Sequence, residues 1–290
     1  MVKEKKIKFQ NVALCSTKKN QEIISIANQC HEVLMNKGIN VLADKNLARL
    51  SSSGLKISSE SVIRKKSDLL ISIGGDGTML NCARKYGQFG IPILGINLGN
   101  LGFLNDIAPN EITEGLIGVI EGGYYSDKRF FLETTAKGSS EKFMALNEVV
   151  LHSGEIAQLI EYEVFIDNVF VYKQKADGLI ISTPTGSTGY SLSNGGPIVH
   201  PNVSSFTLSP MLPLSLSSSS LVIDANSKVL VKLSNSSRNA QLSFDSHSSS
   251  LLKKGSHINI SKSKSYLNLI HPQQSDFFDA CRNKLRWSRL

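Results

Sequence analysis

Cysteine is scarce in this chain: four occur in 290 residues, Cys15, Cys30, Cys82 and Cys281, with no two at C-x-x-C spacing. Reduced structural thiols are expected in place of disulfides or zinc ligands. No stretch approaches the roughly 18 apolar residues of a membrane span, and the basic opening MVKEKKIKF has no apolar h-region. A cytoplasmic, non-membrane protein is the expectation. The formal charge of +8 suits anionic partners such as nucleotide phosphates. No basic stripe interleaved with aromatics accompanies it, so nucleic-acid binding has little support. No cluster of metal-ligating side chains stands out. Both common phosphate signatures are missing as well: no Lys-Ser or Lys-Thr completes a Walker A loop, and there is no G-x-G-x-x-G.

What is present points to a globular protein, 41% hydrophobic and 19% charged, long enough for two domains or one large one. Its organising stretch runs from Asp68 to Tyr86. Leu69 to Ile73 has the length and composition of a buried strand. Gly74-Gly75-Asp76-Gly77 breaks it, and Thr78 is read as the cap of a following helix carrying Met79, Leu80, Cys82 and Ala83. Strand, glycine loop and helix start form a geometry in which backbone N–H groups and a helix dipole hold phosphate. Asp76 is out of place for plain phosphate binding, since like charges repel. It makes sense if it accepts a proton from an attacking hydroxyl or helps position magnesium beside the phosphates. The bland alternative is a tight Asp-Gly turn.

Along the chain, Lys6–Cys15 reads as a strand, Gln21–Lys37 as a helix ended by Gly38, and Ile39–Ala43 as the next strand. Asp44–Lys66 reads as a loop with a short helix. Ile91–Ile96 is another buried strand; the glycines of Asn97–Leu104 suggest backbone close to a ligand or to the first glycine loop, but by themselves read first as an ordinary strand-to-helix connection. Pro109–Ile120 is one more helix, closed by Gly122-Gly123. This alternation predicts an open, Rossmann-like α/β domain over residues 1–126. From Arg129 onward strand patterns dominate: Arg129–Ala136, Lys142–His152, Leu159–Asp167 and Val169–Lys173, with an Asp167-Asn168 hairpin turn. Further runs at Leu221–Ile223, Lys228–Leu233, Ala240–Phe244, His257–Ser261 and Tyr266–Ile270 continue it, with Ser215–Ser220 and Ser246–Ser250 read as turns. A β-rich, sandwich-like domain over 127–270 is expected, then a tail, 271–290, packing back on the first domain.

Within the β region, Asp177 to Pro197, DGLIISTPTGSTGYSLSNGGP, runs an apolar strand into a loop dense in Gly, Ser and Thr. Such a loop suits a sugar or polar heterocycle. Upstream, Asn147-Glu148 pairs an amide able to read a base edge with a carboxylate able to accept from ribose hydroxyls.

Together with GGDGT, LNEVVL and LNLIHP, this segment resembles the NAD kinases of bacteria over nearly the whole chain, from about Val12 to Trp287. The resemblance implies phosphorylation of the 2′-hydroxyl of the adenosine ribose of NAD, with ATP and a divalent metal, magnesium, arriving with it. It implies Asp76 as proton acceptor, with Gly75, Gly77 and Thr78 at the substrate and phosphates. Asn147 and Glu148 would hold the adenosine end and Asp177 the nicotinamide end. Thr188, Gly189, Tyr190, Ser191, Leu192 and Ser193 would line the pocket, Tyr190 packing against a ring. It implies a homo-oligomer, tetramer or dimer. Lys175 stands where relatives often have Arg, keeping the charge without the planar fork. Gln158 and His247 are further polar binding candidates at variable positions. A lipid kinase shares the glycine-Asp-glycine loop but lacks STPTGSTGY. A non-catalytic dinucleotide-binding regulator gains nothing from Asp76.

Overall fold

The structure, a computed structural model, describes residues 8–47, 56–99, 102–155, 158–215, 217–246 and 248–287. The chain divides into two compact units, one comprising the residues up to Lys128 together with those from Tyr266 onward, the other Arg129–Ser265.

The first unit is built on β1 (Asn11–Cys15), β2 (Asn40–Ala43), β3 (Lys56–Ile57), β4 (Leu69–Ile73) and β5 (Ile93–Ile96). They pair in the order β3-β2-β1-β4-β5, all parallel, and Leu269 and Ile270 add a further parallel pairing beside β5. β4 is buried at every position, as a strand covered on both faces must be. Helix α1 (Gln21–Asn36) buries Ile23, Ile26, Ala27, Cys30 and Leu34 at helical spacing, starts with Asn20 accepting from the Ile23 N–H, and stops before Gly38 at φ +72°. It shares a core with Leu116, Val119 and Ile120 of α4 (Ile112–Ile120). Each such aliphatic side chain contributes about 1.5–3 kcal/mol on burial. Helices α2 (Glu60–Lys66) and α3 (Asp76–Lys85) complete the layer. Strand order reverses between β1 and β4, and the glycine loop leaves the C-terminal end of β4 at that point. In doubly wound folds that crevice is where ligands bind.

Several details differ from the sequence expectation, among them a strand at Ser205–Met211 that it did not place. Helix α3 begins at Asp76 with Gly75 as its cap, so Thr78 lies in the first turn, and its Oγ1 is 2.8 Å from Thr17 Oγ1. Lys142–His152 is two strands, β7 (Lys142–Ala145) and β8 (Glu148–His152), because the backbone at Leu146 and Asn147 is taken over by a carboxylate. Ser248–Leu252 is a strand, and before it Asp245 and Ser246 turn at φ 47° and 56°. Residues 257–272 form one continuous strand where two were expected.

The second unit holds β6 (Tyr124–Ala136, from Arg129 on), β7 (Lys142–Ala145), β8 (Glu148–His152), β9 (Ile160–Ile166), β10 (Val169–Ala176) and β11 (Gly178–Ser182). There follow α5 (Tyr190–Ser193), β12 (Ser205–Met211), β13 (Leu221–Asp224), β14 (Val229–Leu233), β15 (Ala240–Phe244), β16 (Ser248–Leu252) and the first part of β17 (His257–Pro272). One sheet runs β13-β12-β11-β8-β15-β16, the other β10-β9-β14-β17, with β6 beside β17 and β7 beside β6. Val149, Leu151, Leu179, Ile181, Leu208 and Phe244 of the first sheet meet Tyr162, Val164, Val229, Val231, Ile258 and Ile260 of the second in one core, a sandwich. The Asp167-Asn168 turn closes the β9–β10 hairpin with φ 50° and 68°, the left-handed pair a two-residue hairpin requires. Helix α6 (Phe277–Leu285) follows β17 and belongs to the first unit, burying Cys281. All four cysteines are buried and free.

Candidate active site

Asp76 stands in the first turn of α3, half-buried, with exposed glycines on either side. Gly74 adopts φ +152°, and a Cβ there would collide with Thr78, so the turn requires glycine. The loop after β5 folds over the carboxylate. Phe103 N–H and Leu104 N–H donate to it at 3.1 and 3.3 Å, and Asn105 Nδ2 at 2.9 Å. A Cβ on Gly102 would strike Asp76 Oδ1. Of the two readings of the Asn97–Leu104 glycines, Gly102 shows the close approach to the first glycine loop and not a plain strand-to-helix connection. Lys284, on α6, places its ammonium 3.4 Å from Asp76 Oδ2. Neither Asn105 nor Lys284 was singled out by the sequence, because 29 and 208 residues separate them from Asp76.

The second unit gathers the polar loop. Asp245, at the β15–β16 turn, accepts the backbone N–H groups of Leu146 (2.9 Å), Asn147 (2.8 Å) and Glu148 (3.2 Å). That is why β7 and β8 are separate. Thr183 donates its hydroxyl to the Leu146 carbonyl at 2.6 Å and its N–H to the Asn147 carbonyl at 2.9 Å. A Cβ on Gly186 would clash with that same Asn147 carbonyl. A Cβ on Gly189 would sit 3.1 Å from Glu148 Oε2 and 3.2 Å from Asn147 Nδ2, so the two side chains converge on the start of α5. Asn147 Oδ1 and Glu148 Oε2 are buried and find no hydrogen-bond partner among the described residues. Two unfilled acceptors side by side invite hydroxyl or amine donors from a ligand. Burial and the neighbouring Asp245 push the Glu148 carboxyl up to about 8, against the pull of the Tyr190 N–H.

Alternation along β8 puts Val149 and Leu151 in the core and turns Val150 and His152 to the opposite face. There a cavity of about 550 Å³ is lined by His152, Ser153, Asp177, Tyr190, Met211 and Ser243, among others. The structure thus brings Asp177 and Tyr190 together. His152, which the sequence reading missed, has its pKa lowered by burial; its Nδ1 accepts from the Gly154 N–H (3.1 Å) and its Nε2 pairs with Ser243 Oγ (3.0 Å). Ser191 is buried, and Thr188 donates to the Thr185 carbonyl at 3.3 Å. Leu192 is half-buried and Ser193 exposed. Lys175 does not join this cavity. It is exposed, stands opposite Glu161 in the β9–β10 ladder, and lines a separate hollow with Arg238 and Ser236. Gln158 is half-buried beside that hollow's Leu159, and His247 lies outside the described residues. Among the described residues, no three His, Cys, Asp or Glu side chains are grouped to hold a metal ion.

An acidic glycine loop at the reversal point of a parallel sheet, followed in the chain by a β-sandwich with unfilled polar acceptors, is the make-up of a nucleotide-handling protein of the doubly wound class. Residues 12–124 match the family model of the ATP-NAD kinase N-terminal domain and residues 146–272 that of the ATP-NAD kinase C-terminal domain. The chain therefore belongs to the NAD kinase family. It is 41% identical to a NAD kinase of Photorhabdus laumondii, covering 97% of this chain and 98% of the relative. It is 38% identical to one of Escherichia coli O1:K1, again covering 97% and 98%. Among solved structures, yeast NADH kinase complexed with NADH superposes with a TM-score of 0.88 at 28% identity, covering 97% of this chain and 89% of that one. A NAD kinase from Archaeoglobus fulgidus in complex with ATP superposes with a TM-score of 0.76 at 25% identity, covering 96% and 99%.

Proposed function

We propose that this kinase transfers the γ-phosphoryl group of ATP to the 2′-hydroxyl of the adenosine ribose of NAD, giving NADP and ADP. One observation carries the reading: a carboxylate, Asp76, stands at a helix N-terminus in a glycine loop that otherwise favours anions. A ribose hydroxyl is a weak nucleophile, and phosphoryl transfer depends on positioning and charge neutralisation. Asp76 accepts the hydroxyl proton as the new P–O bond forms. Gly75 and Gly77 supply backbone donors and space for the phosphates, with Thr78, whose own N–H is donated to the Gly75 carbonyl, beside them. Asn147 and Glu148 hold the adenosine, their unfilled acceptors taking its donors. Asp177 holds the nicotinamide end, and Tyr190 packs on a ring. The remaining residues of Thr188–Ser193 line the same pocket, and Lys175, Gln158 and His247 belong to the binding set as outlying polar contacts. Magnesium enters as part of the Mg–ATP substrate and keeps mostly phosphate and water ligands.

The likeness to a yeast enzyme complexed with NADH makes the reduced dinucleotide a second acceptor to assay. Self-association into a dimer or tetramer fits the exposed apolar residues Val169 and Phe170 on the edge strand β10. Sedimentation analysis tests it, a monomer at micromolar concentration counting against it. No described helix is long and apolar enough to cross a membrane, and the cytoplasm is the compartment this reading expects. The deciding experiment measures NADP formation from NAD and Mg–ATP by the wild type and Asp76→Asn. Activity in the first and a loss of about 10²–10⁴-fold in the second, with NAD binding retained, supports it. Nucleotide binding without NADP from the wild type would sink it.

A further inference from the structure

The carboxylate of Asp76 is fully engaged. Oδ1 receives Leu104 N–H at 3.3 Å and Asn105 Nδ2 at 2.9 Å, while Oδ2 receives Phe103 N–H at 3.1 Å and Lys284 Nζ at 3.4 Å. An ionised carboxylate offers about four acceptor positions. None is left for a substrate hydroxyl, so one donor has to leave before Asp76 can take a proton. Two of the four are backbone amides, and a third belongs to the fully buried Asn105. Lys284 makes the longest contact, at the end of a flexible stem, from a helix in which only Cys281 is buried. Its ammonium also lies 4.6 Å from the centre of the Phe103 ring, an aromatic face that steadies the cation near the loop. A triphosphate is a far stronger attraction for an ammonium than one carboxylate.

We propose that Lys284 is a shuttling cation. It caps Asp76 Oδ2 when no donor is bound and passes to the phosphates of Mg–ATP when it arrives. The move frees Oδ2 for the acceptor hydroxyl and neutralises charge on the transferring group. The proton goes from hydroxyl to Asp76, the hydroxyl oxygen gains the phosphorus, and the bond to the ADP oxygen breaks. This inference rests on the NAD kinase reading given above.

The test is a binding cycle: Mg–ATP affinity by calorimetry, without NAD, for wild type, D76N, K284M and the double variant. K284M should weaken binding about tenfold, the scale of one charge-assisted hydrogen bond. D76N should tighten it in both backgrounds. If Lys284 leaves Asp76 on binding, the gain is larger in the wild-type background, because no ion pair then has to be broken. If Lys284 stays on Asp76, the gain is larger in the K284M background, where an unpaired carboxylate faces the phosphates. That order, or equal gains, overturns the proposal. K284R should retain most of the affinity, and K284Q stands in should K284M fold poorly. R282M, the same charge change on the same helix, should bind Mg–ATP as the wild type does; an equal loss there would reduce the effect to net charge and overturn the proposal. Because the readout is ATP binding, absence of NADP formation would refute the kinase reading without deciding the fate of Lys284.

Discussion

At about pH 8.5 a Glu148→Gln variant should be more stable than the parent chain, and at about pH 5 it should not. Glu148 is only 4% exposed, and burial with Asp245 close by lifts its carboxyl from the ordinary 4.5 to about 8. In the unfolded chain it ionises near its ordinary value. Below that value both states hold the proton and the shift has no effect. Between the two, the folded state binds a proton that the unfolded state has released, so stability falls as pH rises; above about 8 the whole penalty is present. At about 1.4 kcal/mol per pH unit, the interval amounts to a ceiling of about 5 kcal/mol. Gln keeps the shape and an acceptor for the Tyr190 N–H but does not titrate. Urea denaturation of both proteins at the two pH values should show them within about 1 kcal/mol at the acidic end and separated by about 3–5 kcal/mol at the alkaline end. A difference that does not change with pH would mean that Glu148 is not held protonated, and the reasoning would fail.

The same group ties ligand binding to protons. If ribose hydroxyls donate to Glu148, NAD binding near neutral pH should release a proton. Calorimetry in buffers of different ionisation enthalpy would detect it, and equal heats would refute it. Asp245→Ala strands three backbone N–H groups, two of them on buried residues, and should cost about 2–4 kcal/mol in a denaturation assay. Gly102→Ala drives a methyl into Asp76 Oδ1; kcat should fall about tenfold or more, with the melting temperature within a few degrees of wild type. An unchanged kcat would show that the loop yields freely. Lys175→Gly should shift the NAD/NADH preference if Lys175 is an outlying contact of the dinucleotide; an unchanged preference would show that the hollow it lines, apart from Asp177, is no part of the site.

Local chemistry was legible from sequence wherever neighbours in the chain are neighbours in space. β4 and its glycine turn, the α1 stripe ended by Gly38, and the Asp167-Asn168 hairpin all follow from period, steric freedom and capping over a few residues. The same holds for Asp76, whose oddity in a phosphate loop is a property of the loop itself. Misreadings came where a distant group overrides local preference. Lys142–His152 looks like one strand until Asp245, about a hundred residues on, captures its middle. Serine at 248–250 reads as turn until the ladder with β15 pairs it.

The two kinds of domain, most of the element order and the short motifs are encoded residue by residue, in strand and helix periods and in the positions of glycine. Only tertiary structure decided what surrounds the motifs: Lys284 and Asn105 on Asp76, Asp245 beneath Asn147-Glu148, His152 beside Asp177. These meetings depend on which strands pair and which loop crosses which, and no local pattern carries that information. The raised carboxyl of Glu148 belongs to the same category, because desolvation and a charge contributed from β15's turn exist only once the sandwich has closed.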